Sequence, residues 1–392
     1  MERHYGMDWL RIGAFGLLIL YHIGMVFVPW GFQVKTGQPI VWTEIPMLLT
    51  NPWRLTLLFV VSGYASRALY AKSAGVRAFI ASRNTRLLVP LIFGMAMIIP
   101  PQTWVELTTQ HGYVGSFWHF FTSDYFRFGT LSGIVMPTWN HLWFVLYLWF
   151  YTVALSLLVQ IPGGARWQAA FDRVFAGSRA VFVPLAFLIV TQFWLFHRIE
   201  DTHKFYDDWI AHLQYFPSVL FGFGLAGSKA AMAGLARWWK LSAMLAVGSY
   251  VAIVGLLIAY PDFSFPTDNT ALLYRFVREI EAATAITALI GIAERFGNRD
   301  HVWRATLAEA TFPFYIIHQT AIVVVEFWIR PLELGALAEF LILVPATVAA
   351  CWAFYLIGRD MNWLRPLIGL KRRPTSAPAV ANLHVRAQPD VA

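Results

Sequence analysis

The chain has 392 residues, of which 58% are hydrophobic, 17% aromatic and 13% charged, with a mean hydropathy of +0.55. The charged fraction is about half that of a soluble globular domain, which excludes a soluble enzyme as the overall class. The net charge of +8 therefore reads as basic residues on cytoplasmic loops facing anionic lipid; no soluble domain carries a basic patch for nucleic acid.

The apolar residues fall in blocks close to the ~20 residues a helix needs to cross a bilayer. Blocks such as LSAMLAVGSYVAIVGLLIAY do not alternate as barrel strands do, so they predict helices. In chain order the blocks are 9–29, 55–71, 87–104, 140–160, 180–196, 212–228, 241–260, 272–293, 311–329 and 336–357. The first lacks a small-residue cleavage site and is expected to persist as a helix. The stretch 105–139, rich in aromatic residues, Gly and Thr, is expected to lie along the membrane surface or fold back over the bundle. The single cysteine, Cys351, sits in an apolar block, so no intrachain disulfide is possible and a cysteine metal site is implausible.

With the N-terminus placed inside, Lys and Arg number 21 on cytoplasmic segments against 5 on outer ones, and the alternation holds at every loop. The predicted fold is thus all-α: a polytopic membrane helix bundle of about ten transmembrane helices, with N- and C-termini cytoplasmic. One membrane domain is expected over 1–370, followed by a disordered cytoplasmic tail over 371–392 that is short of large apolar residues.

Arg11 and His22 share the first helix, and their separation of 11 residues puts them on one face about 16 Å apart. Arg11 falls near the cytoplasmic interface and His22 toward the outer leaflet. An imidazole at that depth faces a cavity or a partner, and it can take a proton from an alcohol. It equally fits a plain hydrogen bond between helices. Arg83 and Arg86 share a face where the third helix begins, and guanidinium forks suit phosphates; lipid headgroup contact is the simpler use. Ser62-Gly63 reads as a close helix-packing step. His141 with Trp143 fits the interface, and His318 fits an interhelical hydrogen bond.

In the eighth block Arg275 and Glu279 are four apart and Arg278 and Glu281 three apart, so each pair can meet on the helix surface. Such charges mark a polar cavity or neutralise one another. Glu281, the deepest, is a candidate to orient the His22 imidazole or to bind an acceptor. Asp207 and Asp208 with His203 are too irregular for a metal site and read as polar loop.

Taken in order, these motifs resemble the membrane acyltransferase 3 family. Asp8, Arg11 and His22 match its Asp, Arg and His of helix one. Phe59 to Tyr64 resembles its F-F-x-x-S-G segment, with Leu58 in place of the first Phe. Arg83 and Arg86 resemble its R-x-x-R stretch, His141 to Phe144 its H-L-W-F segment, and Tyr315 with His318 its Y-x-x-H segment. The insertion 30–54, with Trp30, Trp42 and Trp53, is similar to the family's glucan-biosynthesis branch.

The resemblance implies an O-acyltransferase of the bacterial inner membrane, moving acetyl or succinyl from acetyl-CoA or succinyl-CoA to a hydroxyl of an envelope glycan. It implies Arg83, Arg86 and Ser62 at the acyl-CoA donor, with Arg11, His22 and Glu281 as the catalytic group. His22 would act as general base or, less simply, accept the acyl group itself. His141, Trp143, His318, Arg275 and Arg278 would bind the acceptor. Its implied partners are the lipid bilayer, the glycan acceptor and other envelope-glycan biosynthesis proteins, with no metal and no nucleic acid. The same buried charges also fit a transporter or flippase of a glycan or small anion, or a membrane scaffold. An acyltransferase of this kind requires a passage from the basic inner face to His22.

Overall fold

The computed structural model describes residues 4–195 and 204–374. Every predicted apolar block is helical over most of its described residues, with ends such as 28–29, 159–160 and 226–228 lying past the helix. The principal helices are α1 (Tyr5–Phe27), α2 (Arg54–Ala71), α3 (Val76–Ile98), α4 (Pro100–Gln110), α5 (Trp143–Leu158) and α6 (Gly164–Val174). They continue as α7 (Arg179–Val190), α8 (Trp209–Leu225), α9 (Lys229–Ala259), α10 (Asp268–Phe296), α11 (Arg304–Ile329) and α12 (Ala336–Asp360). Among the described residues five helices are long and apolar enough to cross a membrane, or seven if each of two bent pairs is one span. The fold is therefore that of a helical membrane protein. The end of the fifth block, Arg198, His203 and the tail 375–392 lie outside the described residues.

Two bends distinguish the helices from the apolar blocks. At Pro100 the chain turns 42° between α3 and α4, because proline removes a helical donor and crowds the preceding turn. At the other bend, α6 meets α7 at 90°. Helix α6 follows Gly163, whose φ of 98° suits glycine, and it is amphipathic, with Arg166, Gln168, Asp172 and Arg173 among apolar residues. Its Gln168 accepts from Arg67 at 2.9 Å and donates to Gly224 O at 3.2 Å, so it lies across the ends of α2 and α8. Charge had marked this segment only as a loop.

Glycine sets the closest helix crossing. A Cβ on Gly63 would sit 2.0 Å from Val219 O, and one on Gly222 would sit 1.9 Å from Val60 O. Helices α2 and α8 therefore approach backbone to backbone, as small residues permit in lipid. Asp208 caps α8 by accepting from Ala211 N at 3.4 Å and takes the Tyr147 hydroxyl at 2.8 Å, a structural use in keeping with polar loop.

The stretch after α4 forms a small cap. A hairpin of β1 (Gly129–Leu131) and β2 (Ile134–Met136) packs Met136 against Leu107, Phe120 and Tyr125. The Tyr125 hydroxyl anchors it to Met95 O at 2.6 Å. Gln110 donates to Phe32 O at 2.6 Å and Gln33 O at 2.8 Å, joining the segment after α1 to the cap.

Replacing Gly63 or Gly222 by Val should lower the melting temperature of the detergent-solubilised protein by roughly 5 °C or more, since the displaced backbone cannot yield cheaply. Gly13→Val, which meets nothing within 4 Å, is the control. Equal melting of all three would contradict the glycine-mediated crossing.

Candidate active site

Helix α1 links two polar clusters. At its first end Asp8 accepts from Arg304 at 2.9 Å, and Arg304 also reaches Asp300 at 2.6 Å. Arg11 donates to Ala308 O at 3.2 Å and stands 3.9 Å from Asp8. These bonds fix the start of α1 to α11. Arg83 is half-buried, donates to Ser66 Oγ, and lies where the charges of Arg86 and Arg11 act on it. Arg86 is exposed. The structure thus gathers Arg11, Arg83 and Arg86 at one end of the bundle. Ser62 stands one helical turn from Ser66, whose hydroxyl donates to Ser62 O at 2.7 Å.

Three turns along α1, His22 meets α11. His318 Nε2 is 3.0 Å from His22 Nδ1, and His318 Nδ1 is 2.7 Å from Tyr315 O. A carbonyl only accepts, so His318 Nδ1 carries the proton; neutral His318 then accepts at Nε2, and His22 donates from Nδ1. His22 is left with a bare Nε2 lone pair.

His141 is fixed by the same carbonyl. Its Nε2 lies 3.2 Å from Tyr315 O and 3.1 Å from Ile316 O, so it donates there. Its Nδ1 faces Gln102 Nε2 at 3.5 Å, and Gln102 in turn donates to Thr320 Oγ1 at 2.5 Å. The Tyr315 hydroxyl donates to His141 O. Both nitrogens of His141 and His318 are engaged, and both rings are buried.

His22 lines a cavity of about 420 Å³. Trp139, Asn140, His141 and Trp143 form one wall, Phe32, Gln33 and Gln319 another, and Arg54 closes a side. Arg54 stands 3.3 Å above the Tyr21 ring and is 8% exposed. Its place at a helix edge gave no sign of this role. Gln102 and Gln319 were likewise missed: a neutral amide in an apolar block leaves no charge signature.

Leu18, Phe144 and Tyr315 also line this cavity. Beneath lies Phe15, with ring centroids 6.3 Å from Phe144 and 5.6 Å from Tyr315. None of Arg11, Arg83 and Arg86 lines the cavity. Among the described residues an aromatic group, Phe15 with Phe144 and Tyr315, thus packs between the Arg11 and His22 levels of α1, on the side where a passage was expected.

The α10 charges also depart from expectation. Glu281 is 1% exposed, its carboxylate has no hydrogen-bond partner among the described residues, and it does not line the His22 cavity. It does not orient the imidazole through a hydrogen bond; His318 supplies that contact. Among the described residues neither Arg275 with Glu279 nor Arg278 with Glu281 closes to an ion pair within 4.0 Å. Arg278 instead donates to Asn51 Oδ1 at 2.9 Å, and Asn51 donates to the Tyr21 hydroxyl at 2.7 Å. Arg275, Arg278 and Glu279 line a neighbouring cavity that shares Tyr21, Arg54 and Leu55 with the first.

A helical bundle with a histidine pair opening on a polar chamber defines a membrane protein built around an internal site. Its family is given by sequence: the acyltransferase domain model, Acyl_transf_3, matches residues 4–356, and the chain belongs to this acyltransferase 3 family. Similar curated proteins include the "Glucans biosynthesis protein C" of Escherichia coli O6:K15:H31 (strain 536 / UPEC), 25% identical over 147 residues. That match covers 38% of this chain and 36% of the relative. The protein of the same name from Escherichia coli O1:K1 / APEC is 26% identical over the same shares. The chain thus spans about a third of the length of these curated relatives, 36% in each case. No solved structure matches.

Treatment of the solubilised protein with diethyl pyrocarbonate, followed by peptide mass spectrometry, should modify His22 ahead of His141 and His318. Equal rates at the three rings would contradict the tautomers assigned above.

Proposed function

We propose that the protein is an O-acyltransferase of the bacterial inner membrane, moving an acetyl or succinyl group from acyl-CoA to a hydroxyl of an envelope or periplasmic glycan. In this reading ten helices span the membrane and both termini are cytoplasmic, in line with the 21-to-5 bias of basic residues. The observation that carries the reading is the His22–His318 pair at 3.0 Å, opening on a chamber walled by tryptophans.

The chemistry follows from the tautomers. The acceptor hydroxyl enters beside Trp139 and Trp143, whose faces suit sugar rings, and gives its proton to His22 Nε2. Its oxygen attacks the thioester carbonyl, and the carbon–sulfur bond breaks as the ester carbon–oxygen bond forms. The His22 imidazolium then returns the proton to the departing thiolate, so the products are ester and thiol. His318 holds His22 in register and shares the transient positive charge through Nδ1–H and Tyr315 O. Arg83, Arg86 and Arg11 suit the phosphates of the donor at the opposite end. The acyl arm reaches His22 when the Phe15–Phe144–Tyr315 layer parts.

Mass spectrometry of envelope glycans from cells with and without the gene should reveal a missing acetyl or succinyl mass. His22→Ala should reproduce that loss and cut transfer about 10³-fold in membranes. Unchanged acylation with His22→Ala would end the catalytic assignment and favour a transporter. His318→Gln should reduce turnover with little change in apparent donor affinity and shift the pH profile. Phe15→Ala should raise acceptor-independent release of thiol from the donor, by admitting water along the acyl route. No change in either transfer or hydrolysis would remove the aromatic layer from that route.

A further inference from the structure

The neighbouring cavity, about 530 Å³, is cationic. Arg54, Arg275 and Arg278 line it against one carboxylate, Glu279. Arg54 is 8% exposed and its Nε has no hydrogen-bond partner among the described residues. Among the described residues none of the three arginines has a carboxylate within 4.0 Å. The charges of Glu279 and Glu281 act on Arg278, yet three guanidinium groups against one lining carboxylate leave the cavity net positive and suited to an anion.

A second cavity of about 180 Å³ adjoins it, sharing Thr56. Its walls are apolar, with Val60, Phe187, Phe221 and Ile286 among them. That volume is somewhat larger than an engineered apolar cavity of about 150 Å³ that admits a benzene ring.

The two cavities are stacked in the same sense on every helix they share. On α2 the cationic cavity uses Arg54 and the apolar one Val60; on α10, Arg275 and Arg278, then Ala283 and Ile286; on α8, Gln214, then Phe221. From Arg275 to Ile286 is about 16 Å along the helix, close to half the ~30 Å hydrocarbon core. A polar head at one level and a hydrocarbon chain running toward the midplane match this order.

We propose that the stacked cavities form a binding site for one phosphate-headed lipid, with its phosphate on Arg54, Arg275 and Arg278 and its chain entering between α2, α7, α8 and α10. Guanidinium forks match phosphate oxygens, and the apolar cavity excludes a second charge. The head lies beside the His22 chamber, because Tyr21, Arg54 and Leu55 line both. A polyprenyl phosphate carrier and a bilayer phospholipid offer the same chemistry. The site does not rest on the acyl-transfer reading.

The test is equilibrium binding to the purified full chain in detergent, with no acyl donor present. The probes are radiolabelled polyprenyl phosphate and phosphatidylglycerol, with diacylglycerol and inorganic phosphate as controls. At least one phosphate lipid should bind saturably and ten-fold or more tighter than either control. Arg278→Gln and Ile286→Trp should each weaken it ten-fold or more; if the tryptophan variant misfolds, Arg54→Gln takes its place. Preference for the polyprenyl probe assigns the site to a carrier lipid, and preference for phosphatidylglycerol assigns it to the bilayer; both support the proposal. Binding no tighter than diacylglycerol, equal binding of inorganic phosphate, or indifference to Arg278→Gln and Arg54→Gln overturns it. Because acylation is not measured, failure of acyl transfer leaves this result standing.

Discussion

The Tyr315 carbonyl governs the chemistry available to the rest of the site. It accepts from His318 Nδ1 at 2.7 Å and from His141 Nε2 at 3.2 Å, and a carbonyl has no proton to offer in return. Both rings are thereby locked into one tautomer. The lock passes to His22, whose Nδ1 must donate to His318, so the basic lone pair lies at Nε2. A carboxylate in place of His318 would raise the basicity of His22 further, but it would add a charge at a depth where charges are expensive. A neutral imidazole relay holds the tautomer without that cost.

Much of the fold was legible because lipid leaves few options. Apolar blocks of the right length had to be helices, and most of the described part of each one is. The bends were not legible: the turn at Pro100 and the right angle before α7 depend on how α6 lies across α2 and α8. Gly63 showed its packing use in the Ser62-Gly63 pair, whereas Gly222, its counterpart across the crossing, belongs to no motif and emerges only when the two backbones are seen together.

For the site, spacing worked within a helix and failed between helices. Arg11 and His22 share α1, so their separation could be read from the rise per residue. That His318 would meet His22 depended on the packing of α1 against α11, which the local sequence does not encode. The same limit explains Glu281. Its depth and charge made it a natural partner for the imidazole, yet it does not line the His22 cavity, and among the described residues its carboxylate has no hydrogen bond. Arg275 and Arg278 had the i,i+4 and i,i+3 spacing of ion pairs. Such spacing permits contact without requiring it, and Asn51 on a distant segment takes Arg278 instead.

On the proposed acyl-transfer reading, the aromatic layer has a use of its own. A continuous aqueous passage between the basic end and the His22 chamber would let ions and water through the bilayer and hydrolyse a thioester. Phe15, Phe144 and Tyr315 meet edge to face, and the Tyr315 hydroxyl also donates to His141 O, so moving that ring costs this hydrogen bond. Tyr315 belongs both to this layer and, through its carbonyl, to the histidine lock. On the proposed reading, moving the ring to admit an acyl arm would release its hydroxyl from His141 O, beside the histidine lock. The His22–His318 pair stands at 3.0 Å with the layer closed, so on the proposed reading the base is set in register before the arm arrives.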